Sequence, residues 1–200
     1  MVLKKKAATG SMGYVVMFTM ALLMVVLTLY MAQVARLMTH QHHVDDSLAD
    51  SVLASLVADD IYYFETLEMT GTPVVRFQNV DRSHRIFMDS MNEAVAETTG
   101  FYYNFSFDSY ICYEVEGSQV KITTYTGPSG AKSVSYGRLG SVYSPKGERV
   151  RETSAYGRVR FDIKNIIDGS YITKTKDIYC TLVLDSELRE TQTTNYFSVL

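Results

Sequence analysis

Tryptophan is absent from this sequence of 200 residues, and proline occurs only 3 times. Tyrosine, by contrast, occurs 15 times. Disordered stalks are rich in proline and poor in aromatic residues, whereas tyrosine is enriched in strands. The composition therefore predicts a folded protein with strands and helices, and it argues against a disordered stalk.

Concentrated positive charge is also scarce. The formal net charge is -3, and the one uninterrupted basic run is Lys4 to Lys6. A nucleic-acid-binding domain needs a basic face or stripe. The sequence therefore predicts no nucleic-acid partner.

Recognisable catalytic motifs are missing as well. The chain has no HExxH motif, no glycine-rich phosphate loop and no nucleophile elbow. His84, the only histidine beyond residue 43, lies near the start of an expected helix, where we expect it to face solvent. We therefore predict a protein that is not an enzyme, with no catalytic residues and no cofactor.

The other three histidines form a short group at His40, His42 and His43. On a helix, Asp46 lies three residues from His43 and four from His42, so these side chains could share a metal. No further strong ligand follows at a recognisable spacing. A pH-responsive contact with lipid headgroups or a partner is an alternative, and an exposed juxtamembrane group needs no ligand at all. We assign no metal site.

The most informative stretch is Tyr14 to Val34, which contains no charge, proline or glycine. A helix of this length spans about 31 Å, close to the roughly 30 Å hydrocarbon core of a bilayer. Because basic residues flanking a first apolar segment tend to stay in the cytoplasm, Lys4 to Lys6 predict an extracytoplasmic C-terminal part. A cleaved secretory signal is the competing interpretation, although its apolar region would be shorter.

The helical pattern continues beyond the membrane span. No proline or glycine occurs from Gln33 to Phe64. Apolar residues recur at Val34, Leu37, Met38, Val44, Leu48, Val52, Leu56 and Ile61. This stripe predicts one long helix whose second half is amphipathic and packs against the outer domain. We expect a basic leader at 1–10, the long helix at 11–66 with the membrane span at 14–34, and an extracytoplasmic domain at 67–200.

The remaining residues predict one further helix and a set of strands. Asp81 or Ser83 can cap a helix that runs to about Thr99. The expected strands are 101–115, 119–125, 154–163 and 171–184, with a hairpin at Gly117 and a long loop or irregular hairpin at 127–147. The predicted fold is therefore α+β, with the long N-terminal helix packed on a mostly antiparallel β domain that carries one extra helix.

Both cysteines, Cys112 and Cys180, fall in expected strands. Outside the cytoplasm they could form one disulfide between adjacent strands, or they could be two buried thiols that behave as small apolar residues. The tyrosines of the outer domain are open to two interpretations in the same way. Tyr102, Tyr103, Tyr110, Tyr113, Tyr125, Tyr136 and Tyr143 could form an exposed adhesive surface or pack within strands.

The segment KKKAATGSMGYVVMFTMALLMVVLTLYMAQVARL resembles the start of type IV pilin-like proteins, in particular the minor pilins and pseudopilins of the tight-adherence (Tad) class. Such proteins begin with a short basic leader, a glycine and a long apolar helix. An amphipathic extension with small residues follows, to which VDDSLADSVLASLVADD corresponds here. The resemblance covers roughly the first 60 residues.

The resemblance implies that a membrane prepilin peptidase cuts the bond between Gly10 and Ser11. Many pilins carry glutamate at the fifth position after the cut, whereas Val15 occupies that position here. An uncharged residue there is easier to reconcile with a minor, priming or tip component, or with an uncut membrane protein of similar shape, than with a major filament subunit.

Two functional hypotheses follow. The first is a structural subunit, a minor pilin or pseudopilin of a bacterial type IV or Tad-like pilus, secretion or conjugative apparatus. Its partners would be membrane lipid, other pilin-like subunits that contact its N-terminal helix, and a prepilin peptidase. The alternative is a permanently anchored, single-pass extracytoplasmic module that binds a ligand or a partner. Both place the N-terminus in the cytoplasm, and the first adds incorporation into a surface filament.

Overall fold

A computed structural model describes the backbone of residues 4–98, 102–165 and 169–182, and the side chains of the first helix from Met12 onward. These parts contain three helices and five strands. The helices are α1 (Lys4–Ser55), α2 (Asp60–Thr70) and α3 (Val80–Glu97). The strands are β1 (Tyr103–Glu116), β2 (Gln119–Thr126), β3 (Ala131–Arg138), β4 (Ser154–Lys164) and β5 (Tyr171–Thr181).

The chain divides into two compact units, Met1–His43 and Val44–Leu200. The boundary lies within α1 and not at the expected junction of residues 66 and 67. The last three turns of α1 therefore belong to the second unit together with all the strands.

One antiparallel sheet holds all five strands, in the order β3-β2-β1-β4-β5. The α+β class and the packing of the long N-terminal helix on an antiparallel sheet are confirmed. The β1–β2 hairpin is also confirmed, and Gly117 adopts the positive φ of 58° that its tight turn requires. The structure adds α2, so the expected single extra helix becomes two.

One face of the sheet carries the helical layer. Val44, Leu48 and Val52 of α1 are fully buried, as are Phe87 and Met91 of α3. Their spacing of four residues places each set on one side of its helix. The predicted amphipathic stripe of α1 is therefore confirmed for this part of the helix.

Gly157 of β4 lies in close contact with the helical layer. A Cβ atom at this position would lie 2.7 Å from Val52 Cγ2 and 2.9 Å from Phe87 Cε2. Real side chains do not approach so closely, so only glycine fits between α1, α3 and the strand. The irregularity at Gly157 in the alternating pattern of β4 therefore marks a packing contact.

The opposite face of the sheet is covered by the chain between β3 and β4. Because consecutive strand residues point to opposite faces, Tyr156 lies on the side away from Gly157. The buried members of this second core are Ile111, Tyr113, Val120, Val142, Val150 and Tyr156. A bond from Val150 N to Val142 O, 3.0 Å long, holds the covering segment together.

The region 127–147, expected to be a long loop or an irregular hairpin, contains the regular edge strand β3. Its eight residues pair with β2 from Ala131 opposite Thr126 to Arg138 opposite Gln119. Six of them are exposed in succession, so β3 lacks the alternation of burial by which a strand is recognised.

The expected helix end at residue 66 is wrong, because α1 ends at Ser55. The Ser55 hydroxyl donates to the Val52 carbonyl at 2.6 Å and accepts a bond from the Tyr110 hydroxyl at 2.7 Å. Ser55 is itself fully buried. A side chain of β1 thus fixes the point at which the helix stops.

Beyond Ser55 the chain becomes extended and pairs with a distant segment. Asp59 N donates to Arg76 O at 3.0 Å, and Gln78 N donates to Val57 O at 2.9 Å. Ala58 and Phe77 form the antiparallel bridge between these bonds. This pairing with residues 76–78 ends the helix. The sequence around residue 55 contains no proline or glycine that would predict this end.

The second and third helices begin with side-chain caps. Asp59 accepts from Tyr62 N at the start of α2, and the left-handed Gly71 ends that helix. Asn79, and not the expected Asp81 or Ser83, caps α3 by accepting from Arg82 N at 2.9 Å. The chain turns two residues earlier than expected because residues 76–78 are held in the extended pairing.

We expect Gly157→Ala to lower the free energy of unfolding of the second unit by about 1–3 kcal/mol, because the added methyl group overpacks the contact with Val52 and Phe87. Denaturant unfolding of the full chain in detergent, followed by tyrosine fluorescence, measures this. Gly13→Ala is the matched control, since a Cβ there meets nothing within 4 Å. Equal midpoints for the two variants would contradict the packing role of Gly157.

Candidate functional site

The most extensive exposed apolar surface described is on α1. From Met12 to Met31 every large apolar side chain is more than half exposed. The helix from Met12 is long and apolar enough to cross a membrane. The two threonine hydroxyls of this segment are satisfied within the helix, because Thr19 donates to Val15 O and Thr28 to Met24 O, each at 2.8 Å. The segment is therefore compatible with a membrane anchor.

Gly10 and Ser11, the expected peptidase site, lie in the helical backbone of α1. Their side chains are outside the described part of the chain. The cleavage expectation therefore stays a prediction.

The histidine group lies on α1 after the apolar segment. Arg36 Nε donates to His40 Nε2 at 3.3 Å, so this nitrogen already accepts a hydrogen bond. Among the described residues, no three His, Cys, Asp or Glu side chains come together in an arrangement that could hold a metal ion.

The two cysteines are free thiols in the second unit. Cys112 of β1 pairs with Ala155 of β4, and Ala155 pairs in turn with Cys180 of β5. Two strand spacings amount to about 9–10 Å, whereas a disulfide requires Cα atoms within about 7 Å. Because β4 lies between them, the bridge considered from the sequence does not form within this fold.

His84 does not face solvent as expected. Its ring stacks on Tyr125 with centroids 4.1 Å apart and planes 5° apart. Gly130 lies against the same ring, and a Cβ there would be 3.0 Å from His84 Cε1. Burial lowers the pKa of His84, and the nearby Asp81 carboxylate opposes this shift only in part.

Asp81 connects this cluster to the edge of the sheet. It accepts bonds from Lys132 Nζ at 2.7 Å and from the Tyr125 hydroxyl at 2.5 Å. The bond from Lys132 lowers the pKa of Asp81 most, and the bond from Tyr125 lowers it further. These contacts attach the start of α3 to strands β2 and β3. They involve Asp81, His84, Tyr125 and Lys132, and their role is structural.

The seven tyrosines considered as an adhesive surface divide between two environments. Tyr110, Tyr113 and Tyr125 are buried, which agrees with packing in strands. Tyr136 and Tyr143 are exposed at 70% and 59%. Tyr102 and Tyr103 are partly buried and contact the rings of Phe161 and Tyr171.

A groove of about 450 Å³ opens where the segment after α2 meets the sheet. It is lined by Thr72, Pro73, Val74, Val75, Val115, Gly117, Arg151, Glu152, Thr153 and Leu182. Thr153 holds its walls together, since its hydroxyl donates to Val75 O and accepts from Val115 N. An adjoining cavity of about 310 Å³ shares Arg151 and adds Arg149.

Helix α2 was not expected from the sequence, because residues 60–66 were predicted to be the end of the long helix and 67–70 the start of the outer domain. None of its residues is buried. The capping pattern of Asp59 and the stop at Gly71 are the local signals that could have separated it from α1.

Comparison of this chain with protein-family models, with curated proteins and with solved structures finds no match.

We expect alkylation to add two groups to the protein without reductant, because both thiols are free. Cys180 should react faster than Cys112, because Cys112 is fully buried and burial raises the pKa of its thiol to about 12. Burial raises the pKa of Cys180 as well. Intact mass after timed alkylation measures both effects. A mass that gains alkyl groups only after reduction would contradict the sheet order around β4.

We expect protonation of His84 to destabilise the second unit. Because the pKa of His84 is lower in the folded protein than its ordinary value of 6.5, the unfolded chain binds this proton more readily. The contribution of neutral His84 to the free energy of unfolding is therefore complete above about pH 6.5, and it is lost as the pH falls below this value. Denaturation midpoints of the full chain between pH 5 and 8 should fall more steeply for the wild type than for His84→Gln.

His42→Gln is the matched control, because His42 is exposed on α1. It should retain the wild-type dependence on pH. If the denaturation midpoints of the wild type and His84→Gln changed in parallel with pH, protonation of the His84 ring would not affect folding stability.

Proposed function

We propose that this protein is a structural, membrane-anchored pilin-like subunit, a minor pilin or pseudopilin of a bacterial type IV, Tad-like, secretion or conjugative apparatus. The observation that carries the proposal is α1. An exposed apolar segment long enough for a bilayer belongs to the same helix as Val44, Leu48 and Val52, which form part of the core of a compact α+β unit. The chain is thus built to carry a folded unit on a membrane helix.

The chemistry of the helix permits transfer out of the bilayer. All its backbone bonds close within the helix, and the hydroxyls of Thr19 and Thr28 are satisfied there too. The segment can therefore exchange lipid for the equivalent helices of neighbouring subunits without exposing an unsatisfied backbone group or threonine hydroxyl. The small residues Ala21, Ala32 and Ala35 permit close approach of helices.

A methionine stripe offers one face for such packing. Met17, Met20, Met24 and Met31, the methionines of the span 14–34, recur with Leu27 at steps of three and four residues. This spacing places them along a single helical seam. Methionine adapts its shape to different neighbours, which suits a helix that exchanges lipid for protein contacts.

In the proposed topology Lys4 to Lys6 stay in the cytoplasm and the second unit lies outside. The role is assembly, and no enzymatic activity is part of the proposal. Val15, which replaces the glutamate of many pilins, supports a minor, priming or tip position.

A permanently anchored binding module is the second candidate. The groove of about 450 Å³ next to Arg151 favours it, because its volume falls in the range of ligand pockets. The two candidates differ in the fate of the leader, since a permanent anchor keeps residues 1–10.

The test is the mature N-terminus. We expect that the full chain, coexpressed with the matching prepilin peptidase and analysed by mass spectrometry, begins at Ser11. The control is Gly10→Leu, which enlarges the residue before the cut and should keep the leader. An intact leader in the wild type, with the protein remaining in the membrane, would exclude the pilin-like role and leave the anchored module.

A further inference from the structure

Helix α2 carries apolar side chains that its own domain does not cover. Met69 is 85% exposed and Ile61 is 72% exposed. Phe64 and Leu67 are also exposed. A helix of eleven residues with no buried side chain gains little stability from packing, so an apolar surface of this kind indicates a contact with another molecule.

The charge of α2 is entirely negative. Asp60, Glu65 and Glu68 lie within it, and it contains no basic residue. Glu65 and Glu68 are in its second half, where the helix dipole is negative and carboxylates are unfavourable. A cation supplied by a partner would relieve this repulsion.

The groove beside β1 and β4 has the complementary character. Its apolar walls include Val74, Val115 and Leu182, and Arg151 lies at its side. Arg149 lines the adjoining cavity. Both arginines are exposed, and among the described residues neither has a carboxylate within ion-pair distance. Among the described residues, Glu152 is the one acidic side chain that lines the groove.

We propose that α2 of one copy docks in this groove of a second copy. Phe64, Leu67 and Met69 would cover the apolar walls, while Glu65 and Glu68 would meet Arg149 and Arg151. The choice of a second copy rests on the proposed function, because assembly in a membrane brings identical subunits together. Identical subunits can pack head to tail when each one carries two different patches that are complementary to each other. Helix α2 and the groove would be such a pair.

Photo-cross-linking from α2 locates the partner surface. Met69 is replaced by p-benzoylphenylalanine in the full, uncut chain, which is reconstituted in vesicles with isotopically heavy copies so that contacts between copies are distinguished from contacts within one. We expect cross-links from residue 69 to the peptide 139–153 of a different copy. Tyr136, 70% exposed on β3, is the matched control position for the same photoreactive residue.

Charge exchange then tests the pairing. The variant E65R/E68R and the variant R149E/R151E should each lose the cross-link between like copies by about tenfold, because each brings equal charges together. An equal mixture of the two should recover it, since each variant supplies the charge that the other needs. The quadruple variant should recover it alone.

Cross-links from residue 69 to lipid, to the same copy or to another surface would overturn the proposal, as would mixtures that recover nothing. These experiments use the uncut chain without the peptidase. Failure of the docking therefore leaves a new terminus at Ser11 unaffected, and an intact leader leaves the cross-link unaffected.

Discussion

The close contact of Val52 and Phe87 with Gly157 is the constraint on which the second unit depends. It brings the end of α1 and the middle of α3 to the same point of β4, at a distance that no side chain on the strand would allow. Because both helices pack against Gly157, the Ser55 hydroxyl lies within hydrogen-bond distance of Tyr110 of β1. This bond is at the last residue of α1. An interior this closely packed transmits a change of one methyl group, so α1, α3 and the sheet behave as one core.

The end of α1 at Ser55 has consequences for the surface. The extended pairing of residues 57–59 with 76–78 brings the chain back along itself, and the intervening residues form α2 and the wall of the groove. Neither element contributes a large side chain to the main core. The fold therefore separates a part that provides stability, around Gly157, from a part that presents apolar and charged groups outward.

Polar side chains near the core connect the helices to the strands through hydrogen bonds and ion pairs. Asp81 holds Tyr125 and Lys132, and Lys176 of β5 donates to Asp45 of α1 at 2.7 Å. These bonds attach the helical layer near both edges of the sheet, at β3 and at β5. His84 contributes its ring surface to the first of these contacts, and the same burial lowers the pKa of its imidazole.

The sequence by itself determined the apolar span, the amphipathic end of α1, the β1–β2 hairpin and the α+β class, because these follow from local periodicity and turn chemistry. Only the tertiary structure decided that α1 ends at Ser55, that β3 is a strand, that His84 stacks on Tyr125 and that β4 separates Cys112 from Cys180. Each of these depends on contacts between residues far apart in the chain or on the order of strands in the sheet. A linear pattern specifies which residues are apolar, but it does not specify which distant group will meet them.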